Sequence, residues 1–333
     1  MIIDMHTHLF MGGDMPKEHL KATARRWAYA RKPFRDPNDV LPRIMPGLTD
    51  ADGSLFFADM AAFGIDASVA HVLDYQWGLQ SEQDTPIDEL NRRYGELQKS
   101  RPGRFYAFAG VDHRRPDAMD LFERAIKEYG LRGYKIYPAT GFDPNDPALE
   151  PFFRRCVEWE IPVLTHTSGN SFPHIGRLSN PDYLQDVVVR FPDLMLILGH
   201  AGHGPYLEQC LAVAGGAMNC YLELGGWQHE AFRDLGGFVK TLARMRDTVG
   251  AHRILWGSDR QSGPRFSGER TGIPRWLQIF KDLPRMASEY DVSFTQEEVD
   301  MMLGGNAARI LGLDGGGAKV IGQWDAIGKG IDF

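Results

Sequence analysis

The sequence predicts a single-domain α/β protein folded as a (β/α)8 TIM barrel, and three features of the 333-residue chain support this prediction. Short runs that are apolar on both faces are typical of the buried strands of a parallel sheet. Helix-like stretches separate these runs, and most strands start about 30 residues apart, the length of one βα unit. Eight such units favour a closed barrel, and no GxGxxG motif follows an early strand to suggest a doubly wound sheet.

Each predicted strand is a short apolar run bounded by turn residues. The strands cover residues 1–8, 67–73, 104–111, 133–137, 162–167, 194–200, 220–225 and 253–259. The predicted helices have apolar residues at helical spacing, with start and stop signals such as Pro86 and Gly130. These helices cover residues 55–63, 86–99, 116–129, 147–159, 182–191, 205–214, 231–248 and 274–290, with shorter turns at 295–303 and 306–311.

Three segments break this alternation and define the predicted domain organisation. The barrel domain is expected to cover residues 1–313, with a long insertion at 9–53 after the first strand. A polar, glycine-rich loop at 260–273 follows the last strand. Both segments follow the carboxyl ends of strands, so we expect both on the catalytic face of the barrel. The tail, residues 314–333, is expected to pack outside the barrel or on a partner subunit.

Composition and charge argue against several functional classes. The chain has 37 Lys and Arg against 44 Asp and Glu, a net charge of −7, which argues against a nucleic-acid partner. The sequence contains no apolar stretch of about 20 residues, so neither a transmembrane helix nor a membrane partner is expected. The N-terminus lacks a secretory pattern, and the three cysteines form no CxxC motif. Reduced thiols and a cytoplasmic location are therefore expected.

Five polar residues at predicted strand ends form a candidate metal site. His6 and His8 are two residues apart in the first strand, so their side chains point to the same face. His166, His200 and Asp259 end the fifth, sixth and eighth strands. The carboxyl ends of barrel strands meet at one end of the barrel. Buried imidazoles and carboxylates there need partners, and a metal ion would satisfy several of them at once.

The motifs around these residues resemble the amidohydrolase superfamily, most closely its branch related to aminocarboxymuconate-semialdehyde decarboxylase. The resemblance extends over nearly the whole barrel, about residues 1–312. The motifs that carry it are DMHTH at 4–8, RGYKIYP at 132–138, THT at 165–167, GHAG at 199–202, GSD at 257–259 and GNAARILGL at 305–313.

This resemblance implies one divalent transition metal ion, most often zinc, bound by His6, His8, His166 and Asp259. Three nitrogens and one carboxylate suit Zn²⁺ better than Ca²⁺ or Mg²⁺. The resemblance also implies that Asp259 carries the proton of a metal-activated water. His200 would lie beside the metal, where it orients the water or stabilises an oxyanion.

Lys135 lies near the end of the fourth predicted strand and has two interpretations. In binuclear relatives a carboxylated lysine at this place bridges two metal ions, so a modified Lys135 would recruit a second ion. Alternatively, an unmodified ammonium pairs with a substrate carboxylate or with a nearby acidic residue. The neighbouring sequence resembles the mononuclear branch, which favours the unmodified form.

Basic and aromatic residues near the strand ends are candidates for binding a small substrate that carries a carboxylate. These candidates are Lys135, Tyr137, His174, Arg177, Trp227, Arg260 and Arg265. For each of them, ordinary packing or a solvated charge is the alternative. Glu223 is interpreted as a paired barrel residue and His203 as a helix cap. Structural roles are assigned to His19, His71, His113, His229 and His252.

Two reactions fit this predicted site. The main hypothesis is metal-dependent hydrolysis of a small amide, lactone or ester by a metal-activated water, with Asp259 as the proton shuttle. The alternative is metal-dependent, non-oxidative decarboxylation of an aromatic or unsaturated carboxylic acid, a lyase reaction. No acidic residue occurs at 9–12, directly after the HxH motif, which favours hydrolysis. The complete set of candidate ligands argues against a scaffold protein, and the resemblance implies a homodimer.

Overall fold

The computed structural model describes residues 1–30, 32–169 and 172–313, and the predicted tail at 314–333 lies outside the described residues. One parallel sheet contains every named strand of the described chain. The strands are β1 (Ile3–His8), β2 (Ala67–His71), β3 (Phe105–Gly110), β4 (Tyr134–Ile136), β5 (Val163–His166), β6 (Leu196–Gly199), β7 (Cys220–Glu223), β8 (Ile254–Leu255) and β9 (Arg260–Gln261).

The sheet closes on itself through the last two strands. Its order is β8-β7-β6-β5-β4-β3-β2-β1-β9, so sequential strands are neighbours from β1 to β8. β9 follows β8 after residues 256–259 and pairs with β1, with Thr7 opposite Arg260. The Met5 N–H also donates to the Trp256 carbonyl oxygen at 3.1 Å, which joins β1 to the chain between β8 and β9. The predicted TIM-barrel fold class is confirmed.

Helices follow the strands along the chain and cover the sheet. They are α1 (Lys17–Tyr29), α2 (Pro37–Val40), α3 (Ile44–Leu48), α4 (Ser54–Phe63), α5 (Gln76–Leu79), α6 (Ile87–Ser100), α7 (Ala118–Lys127), α8 (Glu150–Glu158), α9 (Gln185–Arg190), α10 (Leu207–Gly216), α11 (Gln228–Arg233), α12 (Leu235–Val249), α13 (Ile273–Met286), α14 (Gln296–Asp300) and α15 (Asn306–Ile310). No helix in the described part of the chain is long and apolar enough to cross a membrane.

Two predicted elements are divided in the structure, each for a local reason. The predicted strand 253–259 stops at Leu255, and Asp259 has a φ of 50°, a conformation incompatible with an extended strand. The predicted helix 231–248 is two helices, α11 and α12. They are divided at Asp234, whose side chain accepts the Gly237 N–H and caps the start of α12.

The insertion at 9–53 contains α1, α2 and α3 and has a small apolar core of its own. Its buried members are Phe10, Met15, Ala24, Ile44 and Leu48. The Phe10 N–H donates to Ser262 Oγ at 2.8 Å, and the Ser262 hydroxyl donates to the Leu48 carbonyl oxygen at 3.0 Å. These bonds attach the insertion to the loop that follows the last strand, so both segments lie at one end of the barrel.

The sheet has apolar packing on both of its faces. The larger cluster lies between the strands and the surrounding helices and includes Leu222, Leu242, Trp276 and Phe280. A second cluster includes Ile3, Val69, Phe108, Leu164 and Ile197 and packs against residues of α15. Leu164 and His166 are two residues apart in β5 and therefore share a face. The second cluster thus lies on the same side of the sheet as the candidate site.

Candidate metal centre and active site

His6, His8 and Asp259 meet at the carboxyl ends of β1 and of the last barrel strand. Asp259 Oδ1 lies 3.8 Å from His6 Nε2 and 3.2 Å from His8 Nε2. His6 Nε2 is buried and has no hydrogen-bond partner among the described residues. Leaving a buried nitrogen unsatisfied is costly, and two imidazoles with a carboxylate are a donor set typical of transition metals. These residues therefore fit a metal ion.

Asp4 joins the two strand ends that carry this cluster. Its carboxylate accepts the Ser258 N–H at 2.9 Å and the Ser258 hydroxyl at 2.6 Å. The pairing register of β1 also shifts between Asp4 and Thr7, next to His6. Such irregularities redirect side chains near functional sites. The Asp4–Ser258 contact thereby places Asp259 against His6 and His8.

Glu223 at the end of β7 fixes the orientation of His6. His6 Nδ1 lies 2.6 Å from Glu223 Oε2, and both side chains are fully buried. Glu223 also accepts the backbone N–H groups of His200 and Gly225. Burial raises the pKa of Glu223 to about 8, although these two hydrogen bonds oppose the rise. A proton on His6 Nδ1, shared with Glu223, leaves the Nε2 lone pair for a metal ion.

His166 and His200 form a second pair beside this cluster. His200 Nδ1 donates to the Gly225 carbonyl oxygen at 2.7 Å, so Nε2 carries the lone pair. That Nε2 lies 2.9 Å from His166 Nδ1, and Ser168 Oγ lies 3.0 Å from His166 Nε2. The structure thus places His166 alongside His200, near but outside the cluster of His6, His8 and Asp259. Its role as a fourth ligand stays a prediction.

The electrostatics of these groups leave ring lone pairs available at neutral pH. Burial lowers the pKa of His6 and His166 well below the ordinary value, and that of His200 to about 4. For Asp259 burial would raise the pKa, but the interaction with His200 and the hydrogen bond with His8 outweigh burial and lower the pKa. The rings of His6, His166 and His200 are therefore neutral and the carboxyl group of Asp259 is ionised, as metal ligation requires.

A cavity of about 290 Å³ opens above these residues. Its volume suits a small ligand of roughly one ring. Its polar lining residues are His8, His19, Arg26, Tyr75, Lys135, Tyr137, His166, Ser168, His174, His200, His203, His229, Asp259 and Gln261.

Three of the predicted substrate residues, Lys135, Tyr137 and His174, line this cavity. Lys135 Nζ is buried without a hydrogen-bond partner among the described residues and lies 5.9 Å from the centre of the Tyr137 ring. Burial lowers the pKa of Lys135 to about 8, with Asp259 and Glu223 opposing the shift. An ammonium group at this place would attract an anionic substrate.

The other four predicted substrate residues lie elsewhere. Arg260 is buried, with Nη2 2.6 Å from Asp59 Oδ2. Arg265 is exposed and lies over the Trp27 ring, 4.0 Å from its centre. Arg177 is exposed and does not line the cavity. Trp227 lies behind His200 and donates from Nε1 to the His200 carbonyl oxygen at 2.8 Å. These residues instead stabilise the loops around the site or are solvated.

The sequence interpretation missed several residues of the cavity wall. His19, His229 and His203, taken as structural or capping residues, line the cavity, as do Arg26 and Tyr75. None of them follows a strand directly, so strand-end reasoning could not find them. The signal available for His19 and Arg26 was the predicted position of the insertion on the catalytic face.

The chain belongs to the amidohydrolase family, whose match covers residues 3–313. It is 23% identical over 271 residues to the 2-amino-3-carboxymuconate-6-semialdehyde decarboxylase of Dictyostelium discoideum, covering 75% of this chain and 74% of that protein. The resemblance to this branch, predicted from the motifs, is confirmed.

Two solved structures share the fold. The 5-carboxyvanillate decarboxylase from Sphingomonas paucimobilis is 18% identical with a TM-score of 0.61, covering 93% of this chain and 98% of that chain. The dihydroxybenzoic acid decarboxylase from Polaromonas sp. JS666, solved with manganese and the inhibitor 2-nitroresorcinol, is 17% identical with a TM-score of 0.63. That match covers 94% of this chain and 97% of the Polaromonas chain.

These comparisons correct the predicted reaction. The main hypothesis of a hydrolase is wrong, because these three relatives are decarboxylases and they support the lyase alternative. The physical reason is that a metal ion and a nearby proton carrier serve both reactions, so strand-end histidines do not distinguish them. The absence of an acidic residue directly after HxH was not a discriminating signal.

Proposed function

We propose that this protein is a metal-dependent, non-oxidative decarboxylase of a small aromatic or unsaturated carboxylic acid. The observation that carries the proposal is the cluster of His6, His8 and Asp259, whose buried His6 Nε2 needs a partner, beside a cavity of about 290 Å³. The named activities of the relatives support decarboxylation over hydrolysis.

One divalent ion, zinc or manganese, would be held by His6, His8 and Asp259, with His166 as the proposed fourth ligand. When bound, such an ion supplies a Lewis acid that polarises an oxygen of the substrate. Lys135, as an unmodified ammonium, attracts and orients the anionic substrate. His200 is the proposed residue that orients water entering the site, and its ring is held in place by the hydrogen bond from Nδ1 to the Gly225 carbonyl oxygen.

Asp259 is the proposed proton carrier of the reaction. Its carboxylate takes up one proton from the solvent and delivers it from Oδ to the substrate carbon that bears the carboxylate. The bond from this carbon to the carboxyl group then breaks, and its electron pair restores the unsaturated system. Carbon dioxide leaves, so one carboxylate and one proton give one CO2 and the protonated product.

Isotope labelling tests this reaction. Protein loaded with zinc or manganese is incubated with hydroxybenzoates and unsaturated carboxylic acids in D2O and, separately, in H2 18O. We expect released CO2 and deuterium at the former carboxyl-bearing carbon, with no 18O in the organic product. An organic product that retains every carbon and contains 18O would exclude decarboxylation.

Substitution of the proton carrier provides a second test. Asp259→Asn should reduce turnover by at least about 10²-fold, the contribution of a general acid. Asp291→Asn, a matched change at an exposed position, should leave turnover unchanged. We retain three predictions from the sequence: a homodimer, a cytoplasmic location and a barrel domain that ends at residue 313.

A further inference from the structure

The cavity has a second polar cluster away from the candidate metal ligands. We call it the distal wall and define it as His19, Arg26, Tyr75, Tyr137 and His174, all of which line the cavity. Its position follows from the insertion, because α1 contributes both His19 and Arg26. The proposed mechanism uses none of these side chains.

Stacked and tilted rings hold the distal wall together. The His19 ring centre lies 4.9 Å from that of Tyr75 and 5.3 Å from that of His174. Tyr137 links the wall to the metal site, since its ring centre lies 5.1 Å from His174 and 4.5 Å from His166. A group bound at the wall would therefore lie about one aromatic ring away from the candidate ligand His166.

The histidines of the distal wall present polar atoms that need a ligand. His19 Nδ1 and both ring nitrogens of His174 are buried without a hydrogen-bond partner among the described residues. Unsatisfied buried nitrogens are costly, and three in one cluster are uncommon in a folded protein. A bound oxygen atom could accept from the N–H group of each ring.

The charge of the distal wall determines which kind of ligand group can bind there. Burial lowers the pKa of His19 to about 3 and that of His174 to about 4, and the nearby Arg26 guanidinium lowers both further. Both rings are thus neutral at pH 7, and Arg26 is the charged member of the cluster. A guanidinium repels a second metal ion and attracts an oxyanion, with which it forms charge-assisted hydrogen bonds.

We propose that the distal wall binds an oxyanion of the substrate remote from the reacting carboxylate. The preferred substrate is then an acid with a second oxyanion, a carboxylate or a phenolate, about one ring away. This inference rests on the proposed function for the identity of the reacting end, whereas binding at the distal wall can be measured without turnover.

The test measures the affinity of metal-loaded protein by calorimetry for three ligands: benzoate, isophthalate and 3-hydroxybenzoate. We expect isophthalate, with its second carboxylate, to bind at least about tenfold more tightly than benzoate, as one charge-assisted hydrogen bond allows. The hydroxyl group of 3-hydroxybenzoate is uncharged at neutral pH, so this ligand should bind like benzoate. Affinity equal to that of isophthalate would show that the distal wall does not select an oxyanion and would overturn the inference.

Substitutions test whether residues of the distal wall cause the preference for isophthalate. Arg26→Gln and His174→Gln should remove the preference for isophthalate and leave benzoate affinity unchanged. Arg25 and Arg26 are both exposed on α1, but Arg25 does not line the cavity, so Arg25→Gln makes the same charge change and should keep the preference. Equal affinities for benzoate and isophthalate in the native protein, or equal losses in Arg25→Gln and Arg26→Gln, would overturn the inference. A retained preference without CO2 release from any acid would overturn only the proposed function.

Discussion

At the scale of single residues, the candidate site contains backbone conformations that most residues avoid. Asp259 has a φ of 50°, and His200 and Ala201 have values of 71° and 43°. Such left-handed conformations in non-glycine residues cost free energy and persist where surrounding contacts enforce them. The Asp4–Ser258 and Trp227–His200 hydrogen bonds supply those contacts. The strain lies at the two residues proposed to handle the proton and orient water.

Glu223 provides a prediction at this scale. Glu223→Gln removes the carboxyl group that shares a proton with His6 Nδ1, so His6 becomes a weaker and less well oriented ligand. We expect the affinity for zinc or manganese to fall by about 10–100-fold, as for comparable contacts behind a metal ligand. Competition with a chelator measures this affinity.

The matched control is Glu158→Gln at an exposed position on α8. It should leave metal affinity unchanged. Native-like circular dichroism of both variants would establish that the fold is retained. Unchanged affinity in a folded Glu223→Gln protein would contradict the assignment of Glu223 to the orientation of His6.

At the scale of secondary-structure elements, buried pairs attach the loops of the catalytic face to the barrel. Arg260 begins β9 and pairs with Asp59 on α4, where both side chains are buried. Asp59 also accepts the Ser267 hydroxyl and the Gly268 N–H. One carboxylate thus connects α4 to β9 and to the loop that follows it.

We predict that Arg260→Met destabilises the protein by about 3–5 kcal/mol, because Asp59 is left as an uncompensated buried charge. Urea denaturation measures the change. Arg270→Met, at an exposed position of the same loop, should have a much smaller effect. Reduced isophthalate affinity with unchanged stability would instead show that Arg260 contacts substrate, as the sequence suggested.

The insertion carries a pH-dependent element. Burial raises the pKa of Asp14 to about 7, although the Gly12 N–H and Arg93 oppose the rise. The folded state therefore holds this proton more tightly than the unfolded chain, and stability falls as pH rises from about 4 to about 7. Asp14→Asn removes this loss. The Tm of the variant minus that of the native protein should therefore be larger at pH 8 than at pH 4.5.

Asp52 is the control for this prediction because its pKa shifts in the opposite direction. Its carboxylate accepts the Ser54 N–H, which lowers its pKa. This stabilisation is present at pH values above the pKa of Asp52 in the unfolded chain. It is lost as pH falls through the lower pKa that Asp52 has in the folded protein. Asp52→Asn should therefore reduce Tm at pH 8. The same pH trend in both variants would contradict the prediction.

At the scale of the whole molecule, the candidate metal centre connects the first strand to the last. His6 and His8 belong to β1, whereas Asp259 precedes β9 at the other end of the barrel sequence. An ion bound between them would join the two ends of the closed sheet. Metal binding should therefore stabilise the complete fold and not a local loop alone.

We predict that zinc or manganese at 100 times its dissociation constant stabilises the apo protein by about 2.7 kcal/mol. Calorimetric unfolding should show a higher Tm, reversed by a chelator. His6→Ala should abolish the shift, and His252→Ala, outside the site, should retain it. An identical metal-dependent shift in His6→Ala would place the ion elsewhere.

Residues at the strand ends could be placed from the sequence, whereas contacts between their side chains could not. His6, His8 and Asp259 were predicted to meet, and they do so, because alternation along a strand and the convergence of barrel strands are general properties. The position of His166 against His200 depends on side-chain torsions that periodicity does not encode. Arg260 was expected in a polar, glycine-rich loop as a substrate-binding candidate, yet it contacts Asp59, a residue far away in the chain.

The barrel, the family and the candidate ligands could all be predicted from the sequence. Local hydrophobic periodicity and short motifs specify strand ends, and these ends carry the ligands. Tertiary contacts were needed to show that Arg26 of the insertion, and not Arg260, lines the cavity together with Lys135, and that Glu223 contacts His6. The physical reason is that these contacts depend on how residues 9–53 fold across the end of the barrel and on which side chains are buried together there.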